Sequence, residues 1–184
     1  GASFEATAAM ALTALGILGA GGQARETAEF VRNAEPAFYA IERPYFRDGQ
    51  ALKGLRLIDL ANPSAVERQT PVVAAVGAPG LRRDLVMRWP GDHFMSAISD
   101  RAYVAADAEF AAGCMIAPGA VLMTGVVLAR HVLVNAGATI GHGTVVDEFA
   151  TLSPGVRVGG DCRIGRGSFL GIGAVSGSFE HGSS

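Results

Sequence analysis

From Val104 to Leu170 a large apolar residue returns every six positions: Val104, Phe110, Ile116, Leu122, Leu128, Val134, Ile140, Val146, Leu152, Val158, Ile164 and Leu170. An α-helix repeats every 3.6 residues and a strand every two, so neither produces this period. Two places before each large residue stands a smaller one, among them Ala102, Cys114, Ala120, Ala138, Ala150 and Ser168, and a glycine or another small or polar residue usually follows it. Hexads of this kind predict a parallel β-helix in which each hexad supplies one short strand and one turn. Three hexads close a triangular coil, and coils stack at about 4.8 Å, the spacing of neighbouring strands. Residues eighteen apart therefore lie above one another. Ser176 fills the next apolar slot and "SGSFEHGSS" is polar, so about four coils are expected, over residues 99–176.

Residues 11–98 keep a different rhythm. "ALTALGILG" reads as a buried strand, "QARETAEFVRNA" as a helix, "AFYAIE", "LRLIDL" and "VVAAVG" as three further strands, "LRRDLVMRW" as a helix and "HFMSAI" as a closing strand. Strands alternating with helices predict a small parallel α/β sheet. The length suits a Rossmann-like half-domain better than a full dinucleotide-binding domain. Residues 1–9 and 177–184 are expected to be flexible ends.

Composition narrows the function. A formal charge of -2 with no Lys/Arg cluster argues against a nucleic-acid partner. "MALTALGILGAGG" is too short for a membrane span and lacks a basic leader, so no membrane partner is expected. The leading "GAS" reads as an expression remnant and Met10 as a plausible native start. The two cysteines, Cys114 and Cys162, fall on different faces several layers apart, where a disulfide is geometrically unfavourable. A reducing cytoplasm is the expected location.

Two stretches carry chemistry. "NAGATIGHGTVVDEF" sets His142 on a turn of the repeat, where an imidazole titrating near working pH can serve as general base or simply as a solvated side chain. "GAGGQA", Gly19 to Ala24, fits the G-x-G-x-x-A phosphate-binding pattern, with Gly19, Ala20, Gly21, Gly22 and Gln23 in the loop and Glu42 about twenty residues on. A helix opening near Gln23 can offer its free N–H groups to a phosphate; a plain glycine turn packing helix on strand is the alternative. Arg82 and Arg83 can neutralise phosphate or form a solvated helix face. His93, His131 and His181 read as surface histidines, and His131 with His142 supplies no recognisable zinc triad, so no metal is expected.

These pieces resemble a known family. "GILGAGGQAR", "AVGAPGLRR" with Gly77, "AISDRAYVA" and "VNAGATIGHGTVVDEFATLSPGVRVGGDCRIGRGSFLGIGAVSG" are similar to hexapeptide-repeat acyltransferases of the sialic-acid O-acetyltransferase and bacterial nucleotide-sugar N-acetyltransferase type. The resemblance implies a left-handed β-helix, a homotrimer with active sites between neighbouring β-helices, and transfer of acetyl from acetyl-coenzyme A to a nucleotide-activated sugar. It implies His142 as the base and Asn135 as an active-site asparagine. It also implies glycine turns, here Gly159, Gly160, Gly171 and Gly173, against the cofactor, and a phosphate loop of Gly19 to Gln23 with Glu42, Gly77 and Arg83 for the acceptor.

The chain departs from that pattern at three positions. Gly143 stands where the family usually has Asp or Glu after the base, Thr151 where a second histidine is common, and Gln23 where the loop commonly has a histidine. Asp161, eighteen residues after Gly143, is expected to stack one coil above it and to orient His142 in place of the missing acid. The competing expectation is a non-catalytic family member acting as a binding or scaffold subunit.

Overall fold

A computed structural model of the protein describes residues 12–43, 45 and 49–177. Met10 and the expected flexible ends, apart from Gly177, lie outside them.

The N-terminal sheet has the order β3-β4-β2-β1-β5, built from β1 (Ala14–Leu18), β2 (Glu35–Ile41), β3 (Ala51–Leu52), β4 (Leu55–Asp59) and β5 (Val72–Ala74). All neighbours are parallel except β3, which turns back on β4. Helix α1 (Gly22–Phe30) connects β1 to β2, α2 (Ala65–Gln69) connects β4 to β5, and α3 (Pro79–Arg88) follows β5 on the way to the β-helix. Because β1 is flanked by β2 on one side and β5 on the other, the chain order reverses there, which opens a crevice at the carboxyl ends of these strands.

Beyond it the hexads form three walls. Ala97–Ile98, Met115–Ile116, Leu133–Val134, Thr151–Leu152 and Phe169–Leu170 stack as the first wall. Tyr103–Val104, Val121–Leu122, Thr139–Ile140, Arg157–Val158 and Val175–Ser176 form the second. Glu109–Phe110, Val127–Leu128, Val145–Val146 and Arg163–Ile164 form the third. Every pairing is parallel and joins residues eighteen apart, as in Leu133↔Thr151 and Thr139↔Arg157. The architecture is the left-handed parallel β-helix that the resemblance implies, against the right-handed rule for ordinary crossovers. It is one strand longer at each end than the hexad count suggests. Ala97–Ile98 joins the first wall on Met115–Ile116, so "HFMSAI" does not close the N-terminal sheet as a full strand; it meets β5 in one bridge, Phe94 opposite Val72, through backbone bonds of His93 and Met95. Val175–Ser176 still pairs with Arg157–Val158, because a strand in this ladder is held by backbone bonds that serine makes as well as valine.

Alternation within each strand explains the packing. Ile116, Val134 and Leu152 point into the prism, where they join Leu122, Leu128, Ile140 and Val146 in a fully buried core. Their neighbours Met115, Leu133 and Thr151 point outward, yet they too are buried. The N-terminal half lies on this first wall, and Met115, Leu133 and Ala97 share a core with Leu15, Ile17, Tyr39 and Val73. Each large side chain buried there contributes about 1.5–3 kcal/mol. Asn33 pins the seam from both sides, donating to the Ser96 carbonyl at 2.9 Å and accepting from the Ile98 N–H at 2.9 Å.

Arg82 bolts the two halves together. It is completely buried and takes no part in binding phosphate. Its Nε–H donates to the His131 carbonyl at 2.9 Å, Nη1 to Val76 at 2.7 Å and Gly77 at 3.1 Å, and Nη2 to Phe149 at 2.7 Å and Ala150 at 3.0 Å. Burial lowers its pKa to about 10, so it remains charged at neutral pH and its donors meet five carbonyl dipoles instead of a carboxylate. Thr151 Oγ1 adds a bond to the Gly77 carbonyl at 2.7 Å. Both cysteines are free thiols, and burial raises Cys114 to about 11.

His131 is not the surface histidine its sequence suggests, being only 3% exposed. Its ring stacks on Phe149 at 4.9 Å and meets the edge of Phe94 at 4.9 Å, with Nδ1 buried and unpartnered. Burial, then Arg130 and Arg82, lower its pKa to about 4. The unfolded chain takes that proton near pH 6.5, so stability is lost as pH falls from about 6.5 to about 4, by roughly 3 kcal/mol in full. The urea midpoint is therefore expected to fall between about pH 7.5 and about pH 4.5. His131→Phe flattens that slope, and the site accepts it because Phe149 holds the same φ of 60° one coil above. Arg82→Met, which leaves buried carbonyls without donors, is expected to cost at least about 3 kcal/mol in the same titration.

Candidate functional site

The crevice at the switch point is a cavity of about 480 Å³ lined by Gly19, Ala20, Gly21, Ile41, Glu42, Leu81 and Arg88 among others. Gly19 closes β1 at φ +106°, and a side chain there would press on Val76 and the Ala75 carbonyl. Gly21 caps α1 with no side-chain bond, so the first-turn amides stay free for an anion. Glu42, just past the end of β2, pairs with Arg88 at the edge of this cavity. Gly22 faces a neighbouring recess with Arg25, Glu26, Glu29 and Lys53.

Two residues paired with this loop by sequence lie elsewhere. Gly77 gives its carbonyl to Arg82 and Thr151 at the joint. Arg83 lines a separate recess with Gly80, Phe149 and Arg166.

Gln23 links the loop to the β-helix, because its Oε1 accepts from Asn135 Nδ2 at 3.2 Å. Asn135 Oδ1 is held in turn by the Ala136 N–H at 2.8 Å, which fixes the orientation of both amides. Gln23 Nε2 is left buried without an acceptor. Asn135 lines a pocket of about 310 Å³ with Glu26, Glu29, Phe30, Pro118 and Pro154.

His142 stands on another corner. Asn135 follows the strand Leu133–Val134 at the edge between the first and second walls, whereas His142 follows Thr139–Ile140 between the second and third. One chain does not bring the two together. The four glycines divide likewise. Gly159 and Gly160 stack one coil above Gly141 and His142, while Gly171 and Gly173 belong to the corner of Asn135.

The imidazole of His142 lies flat on the Gly160 backbone. A Cβ on Gly160 would fall 2.5 Å from both Cε1 and Nε2, so only glycine leaves room for the ring. His142 Nδ1 faces Asp161 Oδ2 at 3.6 Å, and both side chains are largely exposed. The Gly159 N–H is spent on the Ser176 carbonyl, which leaves the Gly160 amide as the turn donor nearest the ring. Asp147 and Glu148 pair with Arg163 and Arg166, away from His142. Among the described residues no group of three His, Cys, Asp or Glu is arranged to hold a metal ion. Nor is any helix among them long and apolar enough to cross a membrane.

No family model matches the chain, and no curated protein matches it. Solved structures do. The chain is 28% identical to the acetyltransferase domain of PglB from Neisseria gonorrhoeae FA1090, with a TM-score of 0.76 over 88% of this chain and 81% of that one. The same domain in complex with acetyl coenzyme A matches at 28% identity and a TM-score of 0.76, over 89% and 82%. PerB from Caulobacter crescentus, in complex with CoA and GDP-perosamine, shares the fold at 20% identity and a TM-score of 0.54, over 92% and 94%. In its repeat and its two-part fold the chain is similar to the hexapeptide-repeat β-helix acyltransferases, the bacterial sugar N-acetyltransferases among them.

Proposed function

We propose that the protein transfers an acetyl group from acetyl-coenzyme A to an amine or hydroxyl of a nucleotide-activated sugar, working in the cytoplasm as a homotrimer. The observation that carries this reading is His142, an exposed imidazole seated on a glycine turn, on a β-helix similar to that of an acetyltransferase domain with acetyl coenzyme A bound.

The nucleotide occupies the cavity at the carboxyl ends of β1, β2 and β5. Its phosphates meet the α1 amides, and Glu42 accepts from the ribose. Asn135, tied to Gln23, orients the sugar. His142 lies one wall away from Asn135 in the same chain, so the reacting groups of one copy meet those of the next. Tyr103, Val127 and Val175, exposed on the second and third walls, supply apolar surface for that packing.

In the reaction His142 Nε2 removes the proton of the acceptor nitrogen or oxygen as it attacks the thioester carbonyl. The Gly160 amide donates to the developing oxyanion. Collapse breaks the carbon–sulfur bond, and the imidazolium returns its proton to the departing thiolate of coenzyme A.

Thiol release from acetyl-coenzyme A, followed across a panel of nucleotide-linked amino sugars, tests this. Wild-type protein is expected to release thiol with at least one acceptor, and His142→Ala to lower kcat by about 10²–10⁴ while coenzyme A still binds. A well-folded wild-type protein that neither binds coenzyme A nor releases thiol would favour a scaffold role.

A further inference from the structure

The residue that turns left-handed at each corner of the β-helix stacks in a column through successive coils. In one column Gly119, Gly137, Gly155 and Gly173 are all glycine, with φ between 66° and 71°. In the second, Gly113 and Gly167 enclose His131 and Phe149, whose rings fill the joint between the two halves. The third column runs Gly125, Gly143, Asp161, at φ 66°, 66° and 53°. A side chain in this conformation is disfavoured, though aspartate tolerates it better than most residues. Packing explains His131 and Phe149. Burial does not explain Asp161, which is 76% exposed and faces His142.

Its carboxylate lies above Gly143. A Cβ on Gly143 would fall 2.2 Å from Asp161 Oδ1, so a side chain at position 143 would turn the acid away from this placement. The Asp161 N–H donates to the His142 carbonyl at 2.7 Å, which locks the two coils in register, and Oδ2 then faces Nδ1 at 3.6 Å. That distance is slightly beyond a hydrogen bond, of the kind that closes when substrate packs on the ring.

We propose that Asp161 is the positioning residue for His142: from the coil above it holds the proton on Nδ1, leaving Nε2 as the basic nitrogen toward substrate. This inference rests on the acyltransfer reading for its catalytic meaning but not for its geometry. The carboxylate makes no contact with the acceptor or the thioester and acts only through the imidazole.

The test pairs spectroscopy with kinetics. In ¹⁵N-labelled wild-type protein His142, assigned by loss of its signals in His142→Ala, is expected as the Nδ1–H tautomer; in Asp161→Asn it moves toward the Nε2–H form usual for a free imidazole. Asp161→Gly restores glycine to a left-handed position, so its melting temperature is expected to equal or exceed that of wild type, while kcat falls about tenfold or more with KM for both substrates within about twofold. Gly143→Asp with Asp161→Gly returns the acid to the coil of the histidine and is expected to recover most of that loss. A His142 tautomer unaltered in Asp161→Asn, or turnover by Asp161→Gly within about twofold of wild type, overturns the proposal. If wild-type protein turns over no acceptor, the tautomer alone decides this pairing, and it is the acyltransfer reading that fails.

Discussion

Each coil of the β-helix sets residue n beneath residue n+18 at the spacing of hydrogen-bonded strands, and that vertical register decides which groups can meet. It stacks Ile116, Val134 and Leu152 into a continuous core and leaves the outward residues of the same strands to form flat walls. His142 and Asp161 both stand on a corner, between a strand of the second wall and one of the third. His142 is close to Gly160 and Asp161 because those residues occupy its corner one coil higher. It is far from Asn135, seven residues back, because a wall intervenes.

The walls have unequal partners. The N-terminal half covers the first wall, bringing Met115 and Leu133 into its own core, while Arg82 reaches through to carbonyls of the second corner column. A buried cation with five carbonyl acceptors is rigid, since moving the halves apart strands both the charge and the dipoles. That rigidity fixes the cavity at the carboxyl ends of β1, β2 and β5 relative to the β-helix. It also explains why Thr151 and Gly77 are occupied with each other: both belong to the joint, and neither is available to a ligand. The second and third walls remain open, and the His142 corner lies between them.

The repeat was legible because twelve apolar residues hold a period that no other fold shares, and its register followed to within one strand at each end. Ser176 breaks the apolar pattern and Val175–Ser176 still pairs, because side-chain pattern says little about a two-residue strand held by backbone bonds. The helix Ala65–Gln69 escaped notice although Ser64 and Glu67 form a capping box, the signal that marks a short helix start. His131 misled because the repeat places position 131 on a turn, and turns of β-helices ordinarily face solvent; only the docking of the N-terminal half buries it. At the site, the stacking of Asp161 over Gly143 was readable from the eighteen-residue period alone. The Gln23–Asn135 contact was not, because no sequence pattern states how one half lies on the other.

The proposed reaction needs two elements that the fold holds apart, the crevice on the sheet and a histidine on a β-helix corner, to meet across copies of the chain. A crystal structure of the protein with coenzyme A and a nucleotide-linked amino sugar bound together tests this most directly. The account predicts the nucleotide phosphates on the α1 amides of one copy and the sugar amine within about 3–3.5 Å of His142 Nε2 of another, with the coenzyme A sulfur beside it. A coenzyme A thiol lodged at a different corner, with His142 in open solvent, would contradict it.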